Sequence, residues 1–224
     1  MNEPLLRVEN LTVSFEGFKA IDSLSLAIMP GTVRVLIGPN GAGKSTLLDA
    51  IIGRVRPAKG RIIFKGQDIT HVPEYKIVRK GICRKFQAPG VLENLTVHQN
   101  LALAAMHNRE WWTAFSRRLQ PGLRKEVEEI LELTGLGPKR DYRAAQLAHG
   151  EKQWLEIGMV VASQADLLLL DEPAAGMTHE EAAHTADLIR MLAGRQSVLV
   201  IDHDMGFVGQ LQAPVSVLHM GRLL

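Results

Sequence analysis

The stretch Leu147–Met177, LAHGEKQWLEIGMVVASQADLLLLDEPAAGM, decides the fold. It sets a glycine-containing helix start about twenty residues ahead of four leucines and an Asp-Glu pair. Four leucines closed by acids describe a buried strand whose carboxyl end opens into a site. A second stretch, Gly38–Ser45, reads GPNGAGKS and follows the short apolar run Val33–Ile37. It matches G-x-x-x-x-G-K-[ST] completely, the pattern of a phosphate-binding loop.

Outward from these two stretches the chain reads as α/β. Leu6, Val8, Leu11, Val13 and Phe15, then Leu24, Leu26 and Ile28, are spaced mostly by two. They suit half-exposed antiparallel strands. Val33–Ile37, Leu167–Leu170 and Val198–Ile201 suit buried parallel strands. A helix is expected from Lys44 to about Ile52, a strand at Ile62–Phe64 and a turn at Lys65–Asp68. From about Pro89 to Val161 the spacing turns helical, notably over Leu95–Met106 and Val127–Leu133.

Bulk properties narrow the class. A chain of 224 residues suits one domain with a full core. Its 26 basic and 24 acidic residues give a net charge of +2, which makes no electrostatic case for nucleic acid. The single cysteine, Cys83, excludes an internal disulfide and fits a reducing compartment as a small buried hydrophobe. No charged-then-apolar leader precedes the first strand, so no targeting segment is expected. Apolar runs such as Leu167–Leu170 are far too short to cross a bilayer, so any service to a membrane goes through partners.

Three strand ends carry the chemistry: Gly38, Asp171-Glu172 and Asp202-His203-Asp204. The loop amides and the helix start behind them suit a β-phosphate, and Lys44 brings a point charge to the β/γ oxygens. Ser45 suits a Mg²⁺ ligand, and Asp171 suits the same ion directly or through water. Glu172 is a candidate general base, expected to point opposite to Asp171 because neighbours on a strand alternate. His203 is placed to hydrogen-bond a γ-phosphate. The alternatives are a Gly-rich turn for the loop, an acidic helix start before Pro173 for the pair, and a helix-start residue for His203.

In this order these motifs resemble the nucleotide-binding subunit of ABC transporters over nearly the whole chain. Gly38–Ser45, extended by Thr46, matches the Walker A motif, so Gly38, Pro39, Asn40, Gly41, Ala42, Gly43, Lys44, Ser45 and Thr46 are implied to bind ATP. Leu167–Glu172 matches Walker B, Gln87 the Q-loop and His203 the H-loop. Leu147–Glu151 stands where the LSGGQ signature stands. The resemblance implies a RecA-like P-loop ATPase core with an antiparallel β subdomain and an inserted helical subdomain. The core and β subdomain would span residues 1–87 and 162–224, and the helical subdomain residues 88–161. Catalysis would fall to Glu172, His203, Lys44 and Gln87, and Mg²⁺ to Ser45, Gln87 and Asp171. Phe15 would stack on adenine. Ala148, His149, Gly150 and Glu151 would serve the ATP of a second, head-to-tail subunit. Integral membrane permeases and, indirectly, a periplasmic solute-binding protein would complete the assembly on the cytoplasmic face of a bacterial inner membrane. The relay to the permeases is expected near Gln87–Asn100.

Finer similarity points to urea-transporter ATPases, within the wider branched-chain amino acid and amide uptake group. Its carriers are Glu16–Ala20, His149–Met159 and Ala175–Thr178. A branched-chain amino acid importer is the alternative in that class. ABC ATPases of DNA or ribosome metabolism carry long coiled-coil insertions or tandem cassettes, which 224 residues do not accommodate. A P-loop kinase would lack Leu147–Glu151. The chain departs from the pattern at Ala148, which lacks a hydroxyl, at Glu151, expected to point away from phosphates, and at Thr178, where an aspartate is usual. The family also continues past a segment like Val217–Leu224, often with a helical tail. Trp111-Trp112 and Phe115, among Arg109, Arg117 and Arg118, read as packed aromatics with a solvated basic face, the alternative being a docking surface.

Overall fold

A computed structural model describes residues 3–84, 90–106 and 121–224. Strands β1 (Leu6–Phe15) and β2 (Phe18–Ile28) form an antiparallel hairpin. With β4 (Lys59–Phe64) and β5 (Gln67–Asp68) they make a four-stranded sheet in the order β2-β1-β4-β5. Only Lys65-Gly66 is turn in the segment expected to turn as a whole. Gln67 and Asp68 pair back onto Phe64 and Ile63.

The apolar spacing of β1 explains its shape. Leu6, Val8, Leu11 and Val13 are all buried, yet Val8 to Leu11 is a step of three. The register slips there, Asn10 takes φ 47° and Ser23 on β2 takes φ 53°. This β-bulge keeps Leu11 on the core face, where strict alternation would turn it outward.

The second sheet runs β10-β9-β3-β8-β7-β6. Its strands are β3 (Val33–Ile37), β6 (Ile82–Arg84), β7 (Leu167–Asp171), β8 (Ser197–Ile201), β9 (Val215–His219) and β10 (Arg222–Leu223). From β9 to β6 the pairs are parallel. Both faces of β3, β7 and β8 are covered, which is why these three read as largely apolar runs. Leu36, Leu167, Leu169, Leu199 and Ile201 pack on one side with α1 (Lys44–Ile51) and the antiparallel sheet. Val33, Val35, Leu168, Leu170, Val198 and Val200 pack on the other with α6 (His179–Leu192) and α7 (Met205–Leu211).

A short α2 (Glu74–Arg79) precedes β6. Between β6 and β7 lie α3 (Val97–Ala104), α4 (Pro121–Leu133) and α5 (His149–Ala162). They share a third core of Val97, Leu101, Val127, Ile130, Leu131 and Leu155. Thr96 caps α3 with a reciprocal bond to Gln99, which starts the helix two residues after its first apolar signal at Leu95. The described part of α4 takes in the periodic run Val127–Leu133.

Leu170→Ala, at the centre of the buried sheet, is expected to cost about 2–5 kcal/mol of unfolding free energy. Urea unfolding measures it, and a cost below about 1 kcal/mol would contradict the double burial of β7.

Candidate functional site

The ends of β3 and β7 open into a cleft of about 370 Å³ lined by Phe15, Phe18, Ala20, Asn40, Gly41, Gly43, Lys44, Ser45, Thr46, Asp171 and Glu172. The loop is held in shape by its glycines and its lysine. Gly43 has φ 103°, and a Cβ there would collide with the Ala20 carbonyl oxygen, so no other residue fits. Lys44 is buried and its Nζ donates to the Gly38 and Pro39 carbonyls at 2.6 and 3.0 Å. Those bonds hold the ammonium at the mouth of α1, where a phosphate oxygen can replace them.

Alternation predicts opposite directions for Asp171 and Glu172. The chain instead leaves strand geometry at Glu172, which takes φ 47° and donates its N–H to the Ile201 carbonyl at 2.8 Å. Both residues line the same cleft. A left-handed glutamate is costly backbone, of a kind that persists at functional sites.

His203 does not line the cleft. Its Nδ1 lies 3.2 Å from Glu172 Oε1, on an exposed imidazole. The flanking acids do structural work. Asp202 Oδ1 accepts the His203 and Asp204 amides at 2.7 and 3.0 Å, its Oδ2 is buried without a partner among the described residues, and burial pushes its carboxyl up from the usual range. Asp204 caps α7.

Two residues at the site escape sequence reading. Phe18 joins Phe15 as a second exposed aromatic, because the β1–β2 hairpin pairs the two directly. Its proximity to Phe15 in sequence was the available signal. Arg84 on β6 donates to Asp171 Oδ2 at 2.9 Å and to Asp49 Oδ1 at 2.6 Å. No local pattern announces it.

Ala148–Glu151 are absent from the cleft wall and start α5 elsewhere. Glu151, expected to point away from phosphates, turns back onto the start of its own helix. Its Oε2 accepts the Ala148 amide at 3.0 Å, and its Oε1 meets Lys139 Nζ at 2.5 Å. The lysine removes the like-charge problem that the outward orientation was meant to solve. His149 Nε2 lies 3.3 Å from the Ala175 carbonyl, and a Cβ on Gly150 would collide with Glu181. Thr178 caps α6, accepting from Glu181 while Glu181 accepts from Thr178 at 2.9 Å. Threonine thus fills the capping role that an aspartate would fill. Gln87, the tryptophan pair and the arginines beside it lie outside the described residues. Cys83 is partly buried, and desolvation pushes its thiol up, as suits an inert packing residue.

Among the described residues no group of three or more His, Cys, Asp or Glu could hold a metal ion. Ser45 and Asp171 on one wall do suit Mg²⁺, which takes one or two protein oxygens and completes its shell with phosphate and water. A larger hollow of about 520 Å³ lies between α4, α5 and α6, at the amino ends of β7 and β8. It has no phosphate loop and stands away from the strand ends that carry the acids. No helix of the described residues is long and apolar enough to cross a membrane.

The parallel sheet, its phosphate loop and the acids at the neighbouring strand end define a P-loop nucleoside-triphosphate hydrolase. Within that class the chain belongs to the ABC transporter family, whose profile matches residues 21–175, and it is an ATPase of that family. It is similar to the high-affinity branched-chain amino acid transport ATP-binding protein LivG of Escherichia coli. The identity is 34% over 231 residues, covering 99% of this chain and 90% of that protein. It is similar to the BraF protein of Pseudomonas aeruginosa, of the same description, at 34% over 232 residues and the same coverage. A nucleotide-free ATP-binding cassette from an ABC transporter superposes with a TM-score of 0.82 at 31% identity, over 99% of this chain and 90% of that one. A cassette in its ADP conformation gives 0.83 at 30%, over 99% and 89%.

Hydrogen bonds from Thr178 hold the Glu181 carboxyl below its ordinary 4.5. A lowered acid stabilises the fold above its unfolded value and loses that contribution as pH falls through the folded one. Glu181→Gln is therefore expected to lose less stability than the parent between neutral pH and values below 4.5, by urea unfolding at each pH. Parallel curves would contradict the assignment.

Proposed function

We propose that this chain is the ATP-hydrolysing subunit of an importer for branched-chain amino acids. The carrying observation is similarity along 99% of its length to ATP-binding proteins described for that transport. The sequence favoured urea or a related amide. The relatives support the branched-chain alternative better, and the urea reading gives way to it.

On this reading ATP lies in the cleft with its adenine against Phe15 and Phe18. The amides of Gly41–Thr46 and the Lys44 ammonium hold the phosphates. Ser45, Asp171 and Gln87 would hold Mg²⁺, which would supply charge neutralisation to the phosphates. Glu172 polarises the attacking water, and His203, bonded to it, fixes the carboxylate and reaches the γ-phosphate on closure. Ala148–Glu151 stand off the cleft, so they act on the ATP of a second copy placed head to tail, offering the N-terminal amides of α5. Residues 1–87 and 162–224 form the hydrolytic body. Residues 88–161 form the helical part that engages membrane permeases at the cytoplasmic face, with a periplasmic solute-binding protein as the indirect partner.

Loss of the gene is expected to abolish uptake of radiolabelled leucine and to spare urea uptake. The reverse pattern would restore the amide reading. Glu172→Gln is expected to trap an ATP-bound dimer on gel filtration, and a persistent monomer under saturating Mg·ATP would count against the shared site.

Ala148 offers no hydroxyl to the γ-phosphate, where a hydrogen bond to a charged group contributes about 1.5–3 kcal/mol. Ala148→Ser is therefore expected to strengthen ATP-driven dimerisation. Unchanged ATP affinity and turnover would refute this.

A further inference from the structure

The guanidinium of Arg84 is a buried charge that the phosphate loop does not use. It ends β6, and its side chain is 9% exposed. One arm, Nη2, reaches Asp171 Oδ2 at 2.9 Å, and the other, Nη1, reaches Asp49 Oδ1 at 2.6 Å. The Asp171 side chain is 3% exposed and the Asp49 side chain 30%. Asp49 lies on α1, five residues beyond Lys44. A single planar fork therefore ties the acid of β7 to the helix that carries Lys44 and Ser45.

We infer that Arg84 is a positioning residue for the metal side of the site, engaging Asp171 Oδ2 from an anchor on Asp49 so that Oδ1 serves the ion. This rests on the reading of Asp171 as the Mg²⁺-side carboxylate. Oδ1 has no protein partner among the described residues, and Asp171 lines the cleft beside Ser45. A carboxylate this buried needs its charge compensated, and a neighbour that binds only one oxygen compensates it while leaving the other free. The geometry needs arginine. A lysine ammonium is a point charge and does not hold two carboxylates at fixed angles. The two anchors also fix the spacing between Asp171 and α1, hence between the two protein oxygens offered to the ion.

The test uses the full chain with Arg84→Lys, Arg84→Gln and Asp49→Asn. Thermal unfolding without nucleotide or metal scores folding. A fluorescent ADP analogue in EDTA scores phosphate-loop binding. Mn²⁺ titration of the ADP complex, followed by electron paramagnetic resonance, scores the metal. Outer partners of metal ligands typically contribute about 10-fold or more to metal affinity. Folded Arg84→Lys and Asp49→Asn are expected to keep metal-free ADP affinity within about twofold and to lose about 10-fold in Mn²⁺ affinity. Parental Mn²⁺ affinity in folded variants would make the fork a brace only and overturn the inference. Equal loss of metal-free ADP binding would overturn it too, assigning the fork to the phosphate loop. If the Arg84 variants do not fold, Asp49→Asn, at the most exposed of the three side chains, decides alone. Failure of the parent chain to bind ADP would strike the proposed function instead.

Discussion

Strands β3, β8 and β7 are apolar on both faces, and that double burial constrains the rest of the molecule. A parallel strand buried twice has no solvent face, so its register is fixed from both sides. Leu36 pairs with Ile201, and Ile201 with Asp171. These three sit in one row, and the chain leaves the sheet just beyond them at Gly38, Asp202 and Glu172. Neighbouring strands lie about 4.8 Å apart, so one row delivers the phosphate loop, the two carboxylates and His203 to adjoining positions. A slip of one residue in β7 would exchange Leu168 and Leu170 with Leu167 and Leu169 between two cores, and would carry Asp171 off the row. Site geometry and core packing are the same constraint seen from two ends.

Much of this was legible because it is local and periodic. The apolar runs of β3, β7 and β8, the phosphate loop and the helical spacing of Val127–Leu133 are all read within one short window. The Thr178–Glu181 cap was legible in principle, since T-x-x-E is a local signal. What was not legible depends on contacts across the chain. Arg84 meets Asp49 at a separation of 35 residues and Asp171 at 87. Glu151 has its cation partner in Lys139, twelve residues away, a pairing that no local pattern announces. Glu172 falls outside strand alternation for another reason. Alternation holds only while the strand lasts, and the strand ends at Asp171.

The helix starts show why an alanine can stand at the head of α5. Each helix begins with amides that lack an intrahelical acceptor. At α3, α6 and α7 the side chains of Thr96, Thr178 and Asp204 supply one. At α1 and α5 the capping positions are Gly43 and Ala148, which supply none. Among the α-helices whose starts are described, the six-residue α2, behind Pro73, is the other without a side-chain cap, and its proline already lacks an N–H of its own. So, among the described α-helix starts, the two longer helices left uncapped are on the proposed reading the ones assigned to phosphate, α1 for the chain's own ATP and α5 for the partner's. A residue that caps its own helix competes with an anion for the same donors. Glycine and alanine do not compete. The cost is a less stable helix start, which α5 offsets by bonding Glu151 to the Ala148 amide and by seating Gly150 against Glu181 of α6. The missing hydroxyl at Ala148 thus removes one bond to phosphate and also one competitor for the amides that would receive it.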